Sequence, residues 1–256
     1  MPLEIVTIPC LSDNYTYLGH DAGTGETALV DIPEAAPILE ALAARGWALS
    51  HILITHHHWD HVGGLNEVLA AHPKAQVYGA QADYGRLPPL HTALTEGDTV
   101  TVGSESGTVI DVSGHTVGHI AYHFPASQVV FTADSLMALG CGRVFEGTKP
   151  QMWKSLSKLS ALPEDTLVCS GHEYTQTNGR FAITIEPDNA ALISRIKDID
   201  AARSRNQPTV PSLLSLELET NPFLRAGELS IQRHLQMEGA DPAEVFAEIR
   251  TRKDNF

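Results

Sequence analysis

Four histidines and one aspartate lie within six consecutive residues, directly after a short apolar run. The run His51–Thr55 favours a β-strand and leads into the sequence HHHWDH, His56–His61, which we call the ligand turn. In an extended backbone successive side chains alternate, so His56 and His58 project to one face and His57 to the other. Imidazole and carboxylate groups are ligands for Zn, Fe and Mn ions. The ligand turn therefore predicts a metal site that does not include His57.

Three later segments each place a ligand-type residue just after a predicted strand. They are His115 in SGHTVGH (113–119), Asp134 in FTADS (131–135) and His172 in CSGHEY (169–174). A loop at the end of a strand is the position from which a rigid sheet can aim a side chain. Taken alone, each of these three residues could equally belong to a turn or cap a helix. For the ligand turn, the alternative interpretation is a solvated polar loop that binds no metal. Their occurrence in series favours one shared metal site.

This series of motifs resembles the metallo-β-lactamase-fold hydrolases and, among them, the glyoxalase II (hydroxyacylglutathione hydrolase) family. The residues that narrow the resemblance to this family come later in the chain. They are GCGRVFEG (140–147), GHEY (171–174), NPFLR (221–225) and RTRKDNF (250–256). The resemblance extends from Asn14 to the last residue. The metal motif is specific for the superfamily, and the later motifs narrow the substrate.

The resemblance implies a site with two metal ions. One ion would be held by His56, His58 and His115, the other by Asp60, His61 and His172, and both by a bridging Asp134. Seven protein ligands are too many for one tetrahedral ion but suit two ions that share a bridge. The expected cofactors are two divalent ions per chain, with Zn²⁺ expected first and Fe or Mn as alternatives that the same ligands accept.

The activity implied by the resemblance is thioester hydrolysis in methylglyoxal detoxification. S-D-lactoylglutathione, or a related 2-hydroxyacylglutathione, and water would yield D-lactate, or another 2-hydroxy acid, and glutathione. A hydroxide bridging the metals would attack the carbonyl carbon, with Asp60 and Asp134 as the catalytic residues that hold it. A thiolate, whose conjugate acid has a pKa of about 8.5, leaves without a dedicated general acid. Other enzymes of this fold, such as a persulfide dioxygenase with a single iron or a lactonase, are the alternative.

The same resemblance implies which residues bind the glutathione part of the substrate, namely Arg143, Phe145, Tyr174, Arg250 and Lys253. Some members have Lys in place of Arg143, and some have Tyr in place of Phe145. For Arg250 and Lys253 the alternative is a solvated helix end that the helix dipole favours. Because the chain has a net charge of −14, the carboxylates of glutathione need local cations to receive them.

Composition narrows the partners and the compartment. The 256 residues, 43% hydrophobic, suffice for a core that buries about three quarters of the unfolded surface. The net charge of −14 argues against nucleic acid and anionic membranes as partners. No apolar run approaches the roughly 20 residues of a membrane helix. Residues 1–10 do not resemble a signal peptide. Three cysteines without a CxxC pair fit a reducing compartment. We therefore expect a cytoplasmic monomer acting on a small molecule.

The segments that must position these residues alternate between short strands and helices. Strands are predicted at Leu3–Pro9, Tyr15–Gly19, Ala28–Ile32, His51–Thr55, Gln76–Tyr78, Thr99–Val102, Val109–Val112, Ile120–Phe124, Val129–Thr132 and Thr166–Val168. Helices are predicted at Glu34–Arg45 before a left-handed Gly46, from Leu65 after the flexible pair Gly63-Gly64, at 148–159 with a capping box, at Asn189–Arg203, and from Asp241-Pro-Ala-Glu244.

Many short strands in a chain of this size indicate two packed sheets with helices outside. With the resemblance, the predicted fold class is α+β, a four-layer αββα metallo-β-lactamase-like sandwich followed by a small C-terminal helical domain. The predicted domains are residues 1–173, which would hold the binuclear metal site, and residues 174–256, an α-helical domain that would bind glutathione.

Overall fold

A computed structural model describes residues 2–256, so that Met1 of the predicted first domain lies outside the described residues. Contacts divide the chain into two units. The first comprises the residues up to Asp111 together with Val117–Ala133, and the second comprises Val112–Thr116 together with Asp134–Phe256. Among residues 2–256, no helix has both the length and the apolar character needed to cross a bilayer.

The first unit is built from two sheets with helices on one of them. Its strands are β1 (Glu4–Cys10), β2 (Asn14–His20), β3 (Thr27–Val30), β4 (His51–Leu53), β5 (Gln76–Ala80), β6 (Thr92–Leu94), β7 (Thr99–Val102), β8 (Glu105–Asp111), β9 (Ile120–Phe124) and β10 (Val129–Ala133). Its helices are α1 (Ala35–Arg45), α2 (Trp59–Val62) and α3 (Leu65–Ala71). Strands β1 to β6 form one sheet in chain order, antiparallel up to β3 and parallel from there. Strands β7 to β10 are antiparallel neighbours.

Apolar packing on both faces of the first sheet fixes the strand that leads to the ligand turn. On one face, Ile38 and Leu42 of α1 join a buried cluster with Ile52 of β4. On the other face, the rings of Tyr17 and Phe131 lie 5.7 Å apart between the two sheets. A strand buried on both faces reads as a continuous apolar run, which is why His51–Thr55 was identifiable in the sequence.

The second unit is mainly helical. Its elements are β11 (Leu136–Met137), β12 (Gly140–Cys141), α4 (Lys149–Ser160), β13 (Leu167–Ser170), α5 (Thr175–Ile185), α6 (Ala190–Arg203), β14 (Ser212–Leu213), α7 (Leu214–Thr220), α8 (Leu229–His234) and α9 (Pro242–Asp254). Its helices pack through buried aromatic rings. The ring of Phe223 lies 6.0 Å from that of Phe181 and 6.0 Å from that of Phe246, which in turn is 5.7 Å from Trp153.

The helix boundaries encoded by local signals are confirmed. Thr148 and Gln151 form the reciprocal capping box, with 3.3 Å and 3.4 Å hydrogen bonds. Asn189 and Asp241 accept backbone hydrogen bonds at the starts of α6 and α9. Gly46 ends α1 in the left-handed conformation, with a φ of 68°.

Helix α5 is not among the predicted helices. Its sequence, TQTNGRFAITI, is rich in β-branched residues and contains Gly179. Both features lower the intrinsic helix propensity of the segment. A Cβ at Gly179 would lie 3.2 Å from Cγ1 of Ile196, so the glycine permits α5 and α6 to pack closely. Tertiary packing therefore overrides local propensity in this segment.

Replacing Thr148 with Ala should lower the free energy of unfolding by about 1 kcal/mol, because the first turn of α4 loses its capping hydrogen bond. In thermal unfolding this corresponds to a fall in Tm of about 2–4 °C for a chain of this size. Thr148→Ser, which keeps the hydroxyl, is the matched control and should stay close to wild type. Equal melting of Thr148→Ala and wild type would contradict the role of the cap.

Candidate metal centre

The ligand turn gathers three imidazole rings within the first unit. Hydrogen bonds of 2.9 Å from the Ile54 amide to the Tyr78 carbonyl and from the Tyr122 hydroxyl to the Ile54 carbonyl hold the chain just before the turn. The ring of His56 lies 4.7 Å from that of His58 and 4.2 Å from that of His61. Burial of His56 and His61 is complete. Buried imidazoles at this spacing are suited to a shared cation.

Asp31 fixes the orientation of two of these rings. Its Oδ1 accepts a 2.8 Å hydrogen bond from the Thr55 amide, and its Oδ2 accepts 2.8 Å bonds from the Thr55 hydroxyl and from Nδ1 of His61. Because the Thr55 hydroxyl donates to Asp31, it accepts from Nδ1 of His56 at 3.0 Å. A carboxylate only accepts, so both rings carry their proton on Nδ1 and present the Nε2 lone pair. This is the outer hydrogen bonding that metal-bound histidines show in proteins.

Sequence reasoning did not identify Asp31. The predicted strand Ala28–Ile32 enclosed it, whereas β3 ends at Val30 and Asp31 adopts a left-handed φ of 62°. The signal that could have found it is the one used for Asp134, a carboxylate placed directly after a buried strand. An overlong strand prediction concealed that signal.

Asn14 of β2 holds Asp60, and the chain after the ligand turn packs closely against the backbone at the start of α1. Nδ2 of Asn14 donates to Oδ2 of Asp60 at 3.1 Å and to its carbonyl at 3.2 Å. The prediction that Gly63-Gly64 turns the chain through flexible dihedrals is wrong, because both residues have helical φ angles. A Cβ at Gly64 would lie 2.7 Å from the Ala35 nitrogen, so the glycine is needed for space.

His57 has a separate partner in the first unit. Its Nδ1 lies 2.8 Å from Oδ2 of the buried Asp83, which is also paired with Arg86. A Cβ at Gly118 would lie 2.1 Å from Asp83, so little other than glycine leaves room for this carboxylate. The His57–Asp83 pair therefore resembles the His61–Asp31 pair in geometry but involves a ring that was not predicted as a ligand.

In the second unit, one carboxylate oxygen faces two imidazole nitrogens. Oδ2 of Asp134 lies 3.5 Å from Nε2 of His115 and 3.3 Å from Nε2 of His172. Nδ1 of His115 donates to the Arg143 carbonyl at 2.8 Å, which leaves its Nε2 as the lone pair directed at Asp134. Two ligands bound to one ion at about 2.0–2.1 Å with tetrahedral angles lie about 3.4 Å apart. The donor set therefore fits a divalent metal.

The loop that carries His115 is fixed by close packing. The Ser155 hydroxyl of α4 donates to the Ser113 carbonyl at 2.6 Å. Gly114 has a φ of 151°, and a Cβ there would lie 2.8 Å from Cα of Met152. A Cβ at Gly142 would lie 1.9 Å from the Asp134 carbonyl, so these two glycines let three segments of backbone meet around the ligands.

Two of the residues predicted to bind glutathione are exposed aromatics beside these ligands. Tyr174 stacks on His172 with ring centroids 4.6 Å apart and ring planes inclined by 5°. Phe145, 61% exposed, meets the ring of His115 edge-on at 5.3 Å. Exposed apolar rings next to buried polar ligands offer an organic substrate a surface to contact.

The two predicted arginines differ sharply in their surroundings. Arg143 is exposed and contacts the backbone and carboxylate of Asp254. Arg250 is only 4% exposed, and its guanidinium donates to the Cys141 carbonyl at 3.0 Å and to Asp254 at 2.9 and 3.0 Å. Binding of glutathione by Arg250 stays a prediction, whereas its contacts within the second unit are a structural role that the sequence did not indicate.

Lys253 is a partly buried cation surrounded by aromatic rings. Its Nζ lies 5.0 Å from the ring centroid of Phe181 and 5.2 Å from that of Phe256. Burial, assisted by the positive charges of Arg250 and Arg180, lowers the pKa of Lys253 to about 8. Its charge is therefore sensitive to pH just above neutrality.

Two family models match consecutive parts of the chain. The metallo-beta-lactamase superfamily model matches residues 20–172, and the model of the hydroxyacylglutathione hydrolase C-terminus matches residues 173–256. A hydroxyacylglutathione hydrolase of Ruegeria pomeroyi is 66% identical over 256 residues, 100% of both chains. The chain belongs to the hydroxyacylglutathione hydrolase family. A hydroxyacylglutathione hydrolase of Methylococcus capsulatus is 53% identical over 99% of both chains.

Solved structures confirm the predicted fold class for this hydroxyacylglutathione hydrolase family member. ETHE1 from Myxococcus xanthus superposes with a TM-score of 0.67 at 25% identity, covering 99% of this chain and 92% of that one. The BLEG-1 B3 metallo-beta-lactamase superposes with a TM-score of 0.65 at 21% identity, covering 86% and 99%. The predicted α+β metallo-β-lactamase fold and the predicted family, a hydrolase family of that superfamily, are both confirmed. The domain boundary at 173/174 stays a prediction.

Asp31→Asn should weaken metal binding by roughly 10- to 100-fold, because an amide has one acceptor oxygen in place of two and cannot accept from the Thr55 amide, the Thr55 hydroxyl and His61 together. The measurement is metal content after dialysis against graded chelator concentrations. Asp83→Asn is the matched control, since it changes a buried Asp–His pair of the same length beside a residue that is not a predicted ligand. Similar metal loss in both variants would contradict a specific role for Asp31.

Proposed function

We propose that the chain hydrolyses S-D-lactoylglutathione, or a related 2-hydroxyacylglutathione, with two divalent metal ions, Zn²⁺ being expected and Fe or Mn the alternatives. The observation that carries the proposal is the position of Asp134, whose Oδ2 lies 3.5 Å and 3.3 Å from two imidazole nitrogens. A single oxygen facing two ligands is suited to bridging two cations. The names of the relatives, hydroxyacylglutathione hydrolases along the whole chain, support the choice of substrate.

The proposed ligands divide between the two ions as the family motif implies. His56, His58 and His115 would hold one ion, Asp60, His61 and His172 would hold the other, and Asp134 would contribute to both. Supporting this assignment, His61 and His115 each donate their Nδ1 proton to an acceptor-only group, so that Nε2 is the unprotonated nitrogen of each ring. Asn14 donates to Oδ2 of Asp60 at 3.1 Å, a hydrogen bond that would hold this carboxylate in place for its ion.

When bound, two such ions lower the pKa of a shared water to near 7 and polarise a carbonyl group. The side chains of the chain supply the geometry for that chemistry. Asp60 and Asp134 would hold the ions that supply the nucleophile, which is the sense in which we assign them a catalytic role. The departing glutathione thiolate has a conjugate acid of pKa about 8.5, so no proton donor has to be positioned for it.

No cysteine of the chain is suited to act as the nucleophile in place of water. Burial is the main cause that raises the pKa of Cys10 to about 12 and that of Cys141 to about 11. It also raises the pKa of Cys169 well above its usual value. All three therefore stay protonated at neutral pH, which supports a mechanism based on water.

Glutathione carries carboxylates, so its binding requires cations on a chain with a net charge of −14. We assign this role to Arg143 and Lys253, with Tyr174 and Phe145 contacting the substrate through their exposed rings. We also include Arg250 among the residues that bind glutathione, although its guanidinium contacts Cys141 and Asp254 within the protein. The proposed partner is this small molecule alone, for a chain acting as a monomer in the cytoplasm.

Asp134→Asn should lose hydrolysis of S-D-lactoylglutathione and most bound metal together, because a neutral amide is a poor bridge between two cations. Hydrolysis is followed by loss of the thioester absorbance, and metal by elemental analysis of the same preparation. Asp98→Asn, which changes an exposed carboxylate that accepts from Thr95, is the control and should retain both. Full activity of Asp134→Asn, or a wild type that is inactive on this thioester with metal bound, would refute the proposal.

The KM for the glutathione thioester should rise by up to roughly tenfold between pH 7 and pH 9, because Lys253, with a pKa of about 8, loses its positive charge in this range. Lys253→Arg, which stays charged, should show a KM that changes less over the same range. Titration of the substrate itself is common to both enzymes and cancels in the comparison. A wild-type KM that does not differ from that of the variant in its pH dependence would exclude Lys253 as a glutathione contact.

A further inference from the structure

Within the second unit, a buried hairpin lies between Asp134 and Arg143, whose carbonyl group accepts a hydrogen bond from His115. Strands β11 and β12 pair antiparallel, Leu136 with Cys141 and Met137 with Gly140, and begin two residues after Asp134. We call Leu136–Cys141 the buried hairpin. At its base, the Gly142 amide donates to the Ser135 carbonyl at 3.2 Å.

Both ends of the buried hairpin act on ligands. Asp134 precedes it, and the Arg143 carbonyl, two residues after it, accepts the 2.8 Å hydrogen bond that orients His115. A displacement of one end of the hairpin relative to the other would therefore change the distance between Asp134 and His115, which is 3.5 Å from Oδ2 to Nε2.

The backbone groups in the turn of the buried hairpin are shielded from water, so their hydrogen-bond partners must come from the protein. Ala138 and Leu139 at its tip are buried, and Leu139 adopts a left-handed φ of 56°. Loops usually lie at the surface because buried backbone groups without partners are costly. The position of this turn is thus set by whatever satisfies its amides and carbonyls.

Those partners are buried side chains of the C-terminal helices. Nδ2 of Asn221, at the end of α7, donates to the Met137 carbonyl at 3.1 Å and to the Gly140 carbonyl at 3.0 Å. The other three contacts are Asn178 to the Ala138 carbonyl at 3.1 Å, the Leu139 amide to Glu217 at 2.8 Å, and Arg250 to the Cys141 carbonyl at 3.0 Å. Four helix-borne side chains therefore meet five backbone groups of one six-residue segment.

A second layer holds these side chains in place. Glu217, fully buried, pairs with Arg195 and accepts a 2.6 Å bond from the Ser212 hydroxyl. Nδ2 of Asn221 also lies 3.1 Å from Oε2 of Glu217, so the two side chains contacting the hairpin fix one another. Buried polar networks that are satisfied in this way rigidify what they contact.

We infer that the C-terminal helices position the metal ligands themselves, with Asn221 as the central positioning residue. Through the buried hairpin they set where Asp134 and the Arg143 carbonyl lie, and hence where His115 points. This function of the helices is separate from any contact with glutathione. The inference rests on the proposed function, since it takes Asp134 and His115 as metal ligands.

The test compares Asn221→Leu with Gln232→Leu in the full-length chain loaded with Co²⁺. Gln232 is a matched control, because it is a buried amide of the C-terminal helices whose hydrogen bonds join Gly239 and Ala240 rather than the buried hairpin. Co²⁺ affinity is measured by competition with a chelator, and ligand geometry by the visible absorption of bound Co²⁺. Circular dichroism establishes that each variant is folded.

The expected result is a roughly 10-fold or greater loss of Co²⁺ affinity with an altered visible spectrum in Asn221→Leu, and neither change in Gln232→Leu. Should Asn221→Leu fail to fold, Asn178→Ala decides by the same criteria, since it removes one hydrogen bond to the tip of the hairpin. Wild-type affinity and spectrum in the folded variant, or equal losses in variant and control, would overturn the inference. A wild type that binds no Co²⁺ would instead refute the proposed function.

Discussion

A carboxylate oxygen that faces two imidazole nitrogens at 3.5 and 3.3 Å is the interaction on which the rest of the second unit depends. Three buried polar groups in such proximity are costly to bury unless a cation or protons compensate them. Asp134 is nevertheless buried, and close backbone contacts fix the segments around it. Gly114 and Gly142 are there because no side chain fits between the segments that meet at the ligands.

Orientation of the ligands is the recurring theme in both units. Asp31 orients His56 and His61, Asn14 orients Asp60, and the Arg143 carbonyl orients His115. In each case a hydrogen bond within the protein fixes the side chain of a proposed ligand. Side chains that are oriented in this way need less reorganisation when a metal binds.

The helical tail combines two demands. In the proposed function its surface supplies positive charge for the substrate carboxylates, and its interior satisfies the backbone of a buried hairpin. Arg250 lies where these demands meet, since it is buried against Cys141 while its neighbour Lys253 remains partly accessible among aromatic rings. The buried hairpin of this chain depends on these helices for hydrogen bonds to five of its backbone groups.

The sequence by itself determined the family and the helix starts and predicted the candidate ligands, because each of these features is carried by short runs of adjacent residues. The capping box at Thr148 and the ligand turn are local patterns of this kind. Only the tertiary structure revealed the roles of Asp31 and Glu217 and the burial of Arg250. Their partners lie 30, 78 and 109 residues away in the chain, in contacts that no local pattern encodes. Positions around a metal are set by such long-range contacts, whereas the identity of the ligands is not.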